Sequence, residues 1–158
     1  MKSRILLLSL CAALLASCAS SDSCVKDLTS ENFSVSLSKG ACLGKCPVYV
    51  GSVFGDATVL FDGRMNVDRL GRYSGSISEA ELCRLKTFVE ENGFMSMKED
   101  QTAPVMDAPE SKIEVKMNGQ SKTVRWNIKM PEELVELQAL IIAATRENNT
   151  LTKANSDQ

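Results

Sequence analysis

The sequence predicts an α+β domain: a two-layer sandwich of one antiparallel sheet, a four-strand meander plus a hairpin, with two helices, in the order ββββαββα. Three observations point there. Phe33-Ser34-Val35-Ser36-Leu37-Ser38 alternates apolar and polar, giving a strand one buried and one wet face. Leu82, Leu85, Phe88 and Val89, and later Leu134, Leu137, Leu140 and Ile141, recur instead at helical spacing. Turn signals separate the extended segments, and strands joined by hairpins pair antiparallel.

Taken in order, the first strand is followed by a Gly- and Cys-rich stretch at 39–47 and then by residues 48–54, rich in β-branched and aromatic side chains. Gly55-Asp56 turns into 58–61, and Asp62-Gly63 is the dipeptide two-residue hairpins favour. Residues 65–73 complete the meander. Ser78 with Glu81 forms a capping-box pattern that opens the first helix, and Asn92-Gly93 closes it, with Phe94 folding back. An irregular loop holding Pro104 and Pro109 leads to Ile113, Val115 and Met117, the turn Asn118-Gly119, and a return strand with Val124 and Trp126. Pro131 suits a first helical position, with Glu132 and Glu133 at the positive end of the helix dipole. From 147 to 158 the chain is polar, and a frayed, disordered tail is expected.

The amino-terminal region reads differently. Lys2 and Arg4 precede an apolar run from Ile5 to Leu15, about eleven residues where a helical membrane span needs roughly 20. The run therefore reads as a cleaved signal peptide, residues 1–17, and not as an anchor. Leu15-Ala16-Ser17-Cys18 resembles the lipobox of bacterial lipoproteins. That resemblance implies cleavage before Cys18, a diacylglyceryl group on its thiol and acylation, with palmitate-type chains, of the new amine. Residues 18–32 are then a lipidated flexible tether and 33–146 a single domain. Ala19 after the lipidated cysteine, where retained inner-membrane lipoproteins resemble one another in carrying Asp, points to the outer membrane, facing the periplasm.

Removing 17 of 158 residues leaves 141 and takes two cations away, so 16 basic residues face 20 acidic ones, a net of −4. No basic block is present, and nucleic acid is not an expected partner. Histidine is absent, which removes the usual general base and the commonest metal ligand. No catalytic residue, metal site or cofactor is expected. The carboxylate pairs Asp56 with Asp62 and Asp107 with Glu110 read as solvated turn residues.

Cys11 leaves with the leader and Cys18 is taken by lipid, so Cys24, Cys42, Cys46 and Cys83 remain. An even number in an oxidising compartment indicates disulfides, and four cysteines allow three pairings. At about 100° per residue Cys83 lies some 160° from Leu85 on its helix, away from the apolar stripe. Cys24, on the tether, is the segment best able to reach it, so a Cys24–Cys83 bridge is expected. Cys42 and Cys46, with glycines at 40 and 44, can close on one turn of chain. That pair reads as a structural bridge, with a redox dithiol beside Lys45 as one alternative and copper capture as another. Cys-x-x-x-Cys-Pro resembles the copper motif of the Sco assembly family, whose further His ligand this chain lacks, and scattered methionines are more often core filler than ligands.

Gly40-Ala41-Cys42-Leu43-Gly44-Lys45-Cys46-Pro47-Val48-Tyr49, followed by Gly55-Asp56-Ala57-Thr58 and by Asn118-Gly119 with Lys122-Thr123-Val124, is similar to the bacterial domain of unknown function 6438. The resemblance spans about residues 33–146 and implies an envelope α+β domain with no assigned activity. The expected function is a lipid-anchored, non-catalytic binding or structural module of the cell envelope. Its partners would be the membrane, through lipid, and another envelope protein, through loops 40–49 and 98–110, with Lys45 and Tyr49 as contact residues. The alternative is a periplasmic thiol-redox or copper-handling protein using Cys42 and Cys46.

Overall fold

The alternating segments around 33–38 and 113–117 and the two helical stretches become elements where they were expected, whereas the fourth strand, expected at 65–73, stands at Gly71–Ser76. The computed structural model describes residues 24–154, so the leader, the lipobox and Cys18 lie outside the described residues. The strands are β1 (Phe33–Lys39), β2 (Val48–Phe54), β3 (Thr58–Met65), β4 (Gly71–Ser76), β5 (Ser111–Met117), β6 (Gln120–Trp126) and β7 (Thr152–Lys153), and the helices are α1 (Glu79–Glu91) and α2 (Val135–Ala144). All seven strands form one sheet in the order β6-β5-β1-β2-β3-β4-β7, each pair antiparallel. The fold is α+β. Among the described residues no helix is long and apolar enough to cross a membrane.

One sheet face makes the core. Phe33, Val35 and Leu37 of β1, Val53 of β2, Phe61 of β3 and Ile113 of β5 are buried there. Leu82, Leu85 and Val89 of α1 join Leu137 and Ile141 of α2 in the same cluster. Burying each such side chain contributes about 1.5–3 kcal/mol before entropy is subtracted. The buried Thr145, just past α2, packs on Gly51 in β2.

The α1 cap is the expected one. Ser78 Oγ accepts from the Glu81 amide at 3.3 Å, and the Ser78 amide donates to Glu81 Oε2 at 2.8 Å. The Ser78 hydroxyl, donating to Glu81 Oε2 at 2.6 Å, and then the Ser78 amide hold the Glu81 carboxyl below its usual range. Ser78→Ala is expected to lower stability by about 1 kcal/mol at neutral pH, read by urea denaturation. A depressed carboxyl stabilises above its unfolded pKa and stops doing so as pH falls through the folded value. The gap between wild type and variant should therefore narrow in acid, and a constant gap would assign the whole effect to the hydroxyl's acceptance from the Glu81 amide.

Three expectations are corrected. Asp62-Gly63 is not a turn: both residues lie inside β3, and the β3–β4 connection runs through 66–70. Gly63 sits between Tyr49 and Gly71 in the ladder, where a Cβ would collide with the Arg69 carbonyl and meet Phe61 and Val67 at 2.9 Å. The glycine serves close backbone approach, not positive φ. Pro131 does not begin a helix; its ψ of 138° is extended, and a 3-10 turn at Glu132–Leu134 precedes α2. The tail is not all frayed: Leu151 is buried against the core and Thr152–Lys153 pair with β4, making a seventh strand after α2. Residues 155–158 lie outside the described residues. The hairpin at Asn118-Gly119 stands as expected, with φ of 52° and 77°.

Candidate functional site

Register decides which loops are neighbours. Lys39 faces both Tyr49 and Ser111, Ser111 faces Trp126, and Tyr49 leads through Gly63 to Gly71. One end of the sheet therefore gathers loops 40–47, 66–70, 98–110 and 127–131. The opposite end holds the start of β1, the 55–57 turn, the 118–119 turn and the α1 cap.

Loop 40–47 is tied at three points. Cys42 and Cys46 stand at disulfide distance with Cα atoms 5.8 Å apart, as expected for a bridge. The Gly40 amide donates to the Glu110 carbonyl at 2.8 Å, joining this loop to the long one. Asn66 Nδ2 donates to the Cys46 carbonyl at 3.0 Å, joining it to the β3–β4 connection. The closed loop holds out Leu43, 84% exposed, with Lys45 exposed beside it. Cys42 and Cys46 are half-buried.

Tyr49 is corrected as a contact residue. It is 1% exposed, its ring lies 5.6 Å from Phe61, and the Arg146 guanidinium sits 5.7 Å from its centroid. Burial pushes the phenol pKa up, with Arg146 opposing. Tyr49 belongs to the core and offers no surface.

Three supporting residues escaped sequence reasoning. Arg69 donates to the carbonyls of Asn148 at 2.9 Å, Thr145 at 3.0 Å and Arg146, while its guanidinium lies 5.3 Å from the centroids of both Phe61 and Tyr73. Arg146 reaches Tyr49 and lies 3.8 Å from Asp68, and Asn66 holds Cys46. Arg69 and Asn66 sit in the connection that the misplaced Asp62-Gly63 turn concealed. The left-handed Asn66, at φ 54°, was the local signal for the true turn.

Loop 98–110 is fastened to β6. The Arg125 amide donates to Glu99 O at 2.7 Å, Gln101 N donates to Arg125 O at 2.9 Å, and Asn127 exchanges two hydrogen bonds with Ala103. Thr102 donates to the Asp100 carboxylate from both amide and hydroxyl, which lowers that carboxyl's pKa. The tip shows Val105 and, 88% exposed, Met106, with a shallow depression between Ala103, Met106, Glu110 and Asn127. Lys39 Nζ lies 5.2 Å over the Trp126 ring, and burial lowers its pKa.

At the other end, Cys24 stands at disulfide distance from Cys83, Cα to Cα 5.7 Å, the pairing expected from the helix geometry. Among the described residues no three of His, Cys, Asp and Glu come together as a metal-holding group. Asp56 accepts from Thr58 N, and Asp62 pairs with Arg64 at 2.9 Å.

Compared with known proteins, residues 33–145 match the family model described as Domain of unknown function (DUF6438). No curated protein matches the chain.

Proposed function

We propose, from the premise that this chain belongs to the DUF6438 family, that it is a lipid-anchored, non-catalytic binding module of the bacterial cell envelope. Its signal peptide is removed, Cys18 carries the lipid, and the domain, a two-layer sandwich, presents its loop end to another envelope protein.

The observation that carries this reading is where the large apolar side chains are exposed. Six of the eight, Leu43, Met65, Leu70, Val105, Met106 and Ile128, lie at the sheet end where β1 finishes. Scattered exposed leucines need no explanation, but a set gathered on neighbouring, hydrogen-bonded loops is the pattern of a contact surface. Leu43 is held by a five-residue disulfide ring, so little rotamer freedom is left to lose on binding. The tether leaves from the far end. From Cys18 to Cys24 the chain reaches roughly 20 Å at most, while a seven-residue strand alone spans about 23 Å. With Cys24 bridged to Cys83, the apolar loops point away from the membrane that holds the lipid, on the outer-membrane reading into the periplasm.

Mass spectrometry of the protein extracted from membranes should find a diacylglyceryl-modified amino-terminal Cys18, and Cys18→Ala should release the chain to the soluble envelope fraction. A chain uncut at residue 18 sinks the anchoring half. For the binding half, a photocrosslinker at position 43 or 106 should give one discrete adduct in cells, and L43D/M106D should weaken that capture about tenfold or more. A crosslinker at position 119, at the tether end, should give none of it. Equal adducts from both ends sink the contact surface.

A second reading keeps Cys42 and Cys46 as a thiol-redox or copper-handling pair, since both are half-buried in an exposed loop beside Lys45. A labile pair requires a reduction potential well above about −300 mV, and a structural bridge lies below it.

A further inference from the structure

The helices cover one face of the sheet, and among the described residues no helix covers the other. Opposite the buried Phe33, Val35 and Leu37, β1 presents Ser34, Ser36 and Ser38. Beside them β2 presents Phe54, Ser52 and Val50, in register with those three serines. This two-strand floor is flanked by longer, charged side chains. On the β5–β6 side stand Lys116, Glu114 and Lys112, directly opposite the same serines, with Arg125 beyond Lys112. On the β3–β4 side stand Asp62, Arg72 and Arg64, with the exposed Leu60 opposite Ser52. The result is a shallow trough about 14 Å between flanking strands and about 23 Å long, from strand spacing and rise.

Its charge is opposite to that of the chain. Arg64, Arg72, Lys112, Lys116 and Arg125 against Asp62 and Glu114 give the face a net of +3, on a chain whose formal charge is −2. Glutamates gather instead on the helices, as at Glu79, Glu81, Glu90 and Glu91 of α1.

We propose that this open face binds an anionic polysaccharide, its charge carried by sugar carboxylates, laid along β1 and β2 between the two basic rims. The site stands on a different surface from the apolar loop end and does not depend on that reading. Charge complementarity selects an anion. The floor selects among anions: serine hydroxyls both donate and accept, as sugar hydroxyls require. An acidic peptide would add to a free strand edge, and this is a face. A protein partner would be expected to find large aromatic or arginine anchors at the centre, where this surface has Ser36 and Ser52, with Phe54 at one end of the floor and Leu60 beside it. A flat anionic membrane would rest on the rims and leave the hydroxyl floor unused.

The test uses the mature, oxidised protein with polygalacturonate as probe and neutral dextran as control. Binding should be retained on polygalacturonate, absent on dextran, and weakened by salt. K112E/K116E should weaken it about tenfold or more, and S36W/S52W should block it with the urea midpoint unchanged. Arg84→Glu on α1, outside the trough, should leave binding as it was. Four results overturn the proposal: no binding to polygalacturonate; equal or tighter binding of poly-L-glutamate or of phosphatidylglycerol vesicles; S36W/S52W binding like wild type; or an equal loss with Arg84→Glu.

Discussion

Replacing both partners of the Cys24–Cys83 bridge, C24S/C83S, is expected to lower unfolding free energy by about 4 kcal/mol. The bridge spans 59 residues, and the chain-entropy cost of leaving such a loop open in the unfolded state is about 4 kcal/mol at room temperature. The same relation gives only about 2 kcal/mol for the Cys42–Cys46 ring, whose cysteines are four apart. Urea denaturation of the oxidised protein, of C24S/C83S and of C42S/C46S measures the order. The substitutions are mild in the folded state, because Cys24 and Cys83 are half-buried and a serine fits either place. If C42S/C46S proves the more destabilising, loop entropy is not what these bridges supply. If C24S/C83S costs under about 1 kcal/mol, the bridge holds only the segment before β1 and the domain stands without it.

Arg69→Ala is the second large effect, expected at about 3 kcal/mol, because hydrogen bonds to a charged donor are stronger than neutral ones and their loss leaves part-buried acceptors unpaired. Arg69 joins the 66–70 connection to the chain leaving α2 through three carbonyls, and its plane lies against Phe61 and Tyr73. No other side chain offers a planar fork that can serve several acceptors while stacking. Arg69→Lys should recover less than half of the loss, since an ammonium reaches fewer carbonyls and cannot stack. Thermal melting should show a fall of about 10 °C for the alanine variant. A melt within about 2 °C of wild type would mean that the Asn148 segment is held by other contacts, with the burial of Leu151 first among them. The same variant probes the loop end, because Arg69 holds the Arg146 carbonyl and Arg146 lies over the Tyr49 ring.

Parts of the candidate site were legible in the residues alone. Cys42 and Cys46 are close in sequence, and an i, i+4 pair with flanking glycines is a local matter. Cys83 could be matched to Cys24 because a helix has a fixed angular step, so its wet side is countable. Tyr49 was misjudged for the opposite reason. Strand alternation gives it a face, but the buried face was not known for the residue next to the loop. Arg69 was invisible because its partners lie 76 to 79 residues away, and nothing near it in sequence announces them.

Taken by itself, the amino-acid order determined the alternating strands, the Ser78–Glu81 cap, the 118–119 turn and both cysteine pairings, since each rests on geometry that repeats within a few residues. Only the tertiary structure decided that β5 pairs with β1, that Asp62-Gly63 lies within a strand, that Leu151 is buried and β7 caps the sheet, and that loops 40–47 and 98–110 are neighbours. Those outcomes depend on which strand edge is left free for a backbone ladder and which apolar side chain finds the last opening in the core. Both are properties of the assembled sheet, with no counterpart in a local window of sequence.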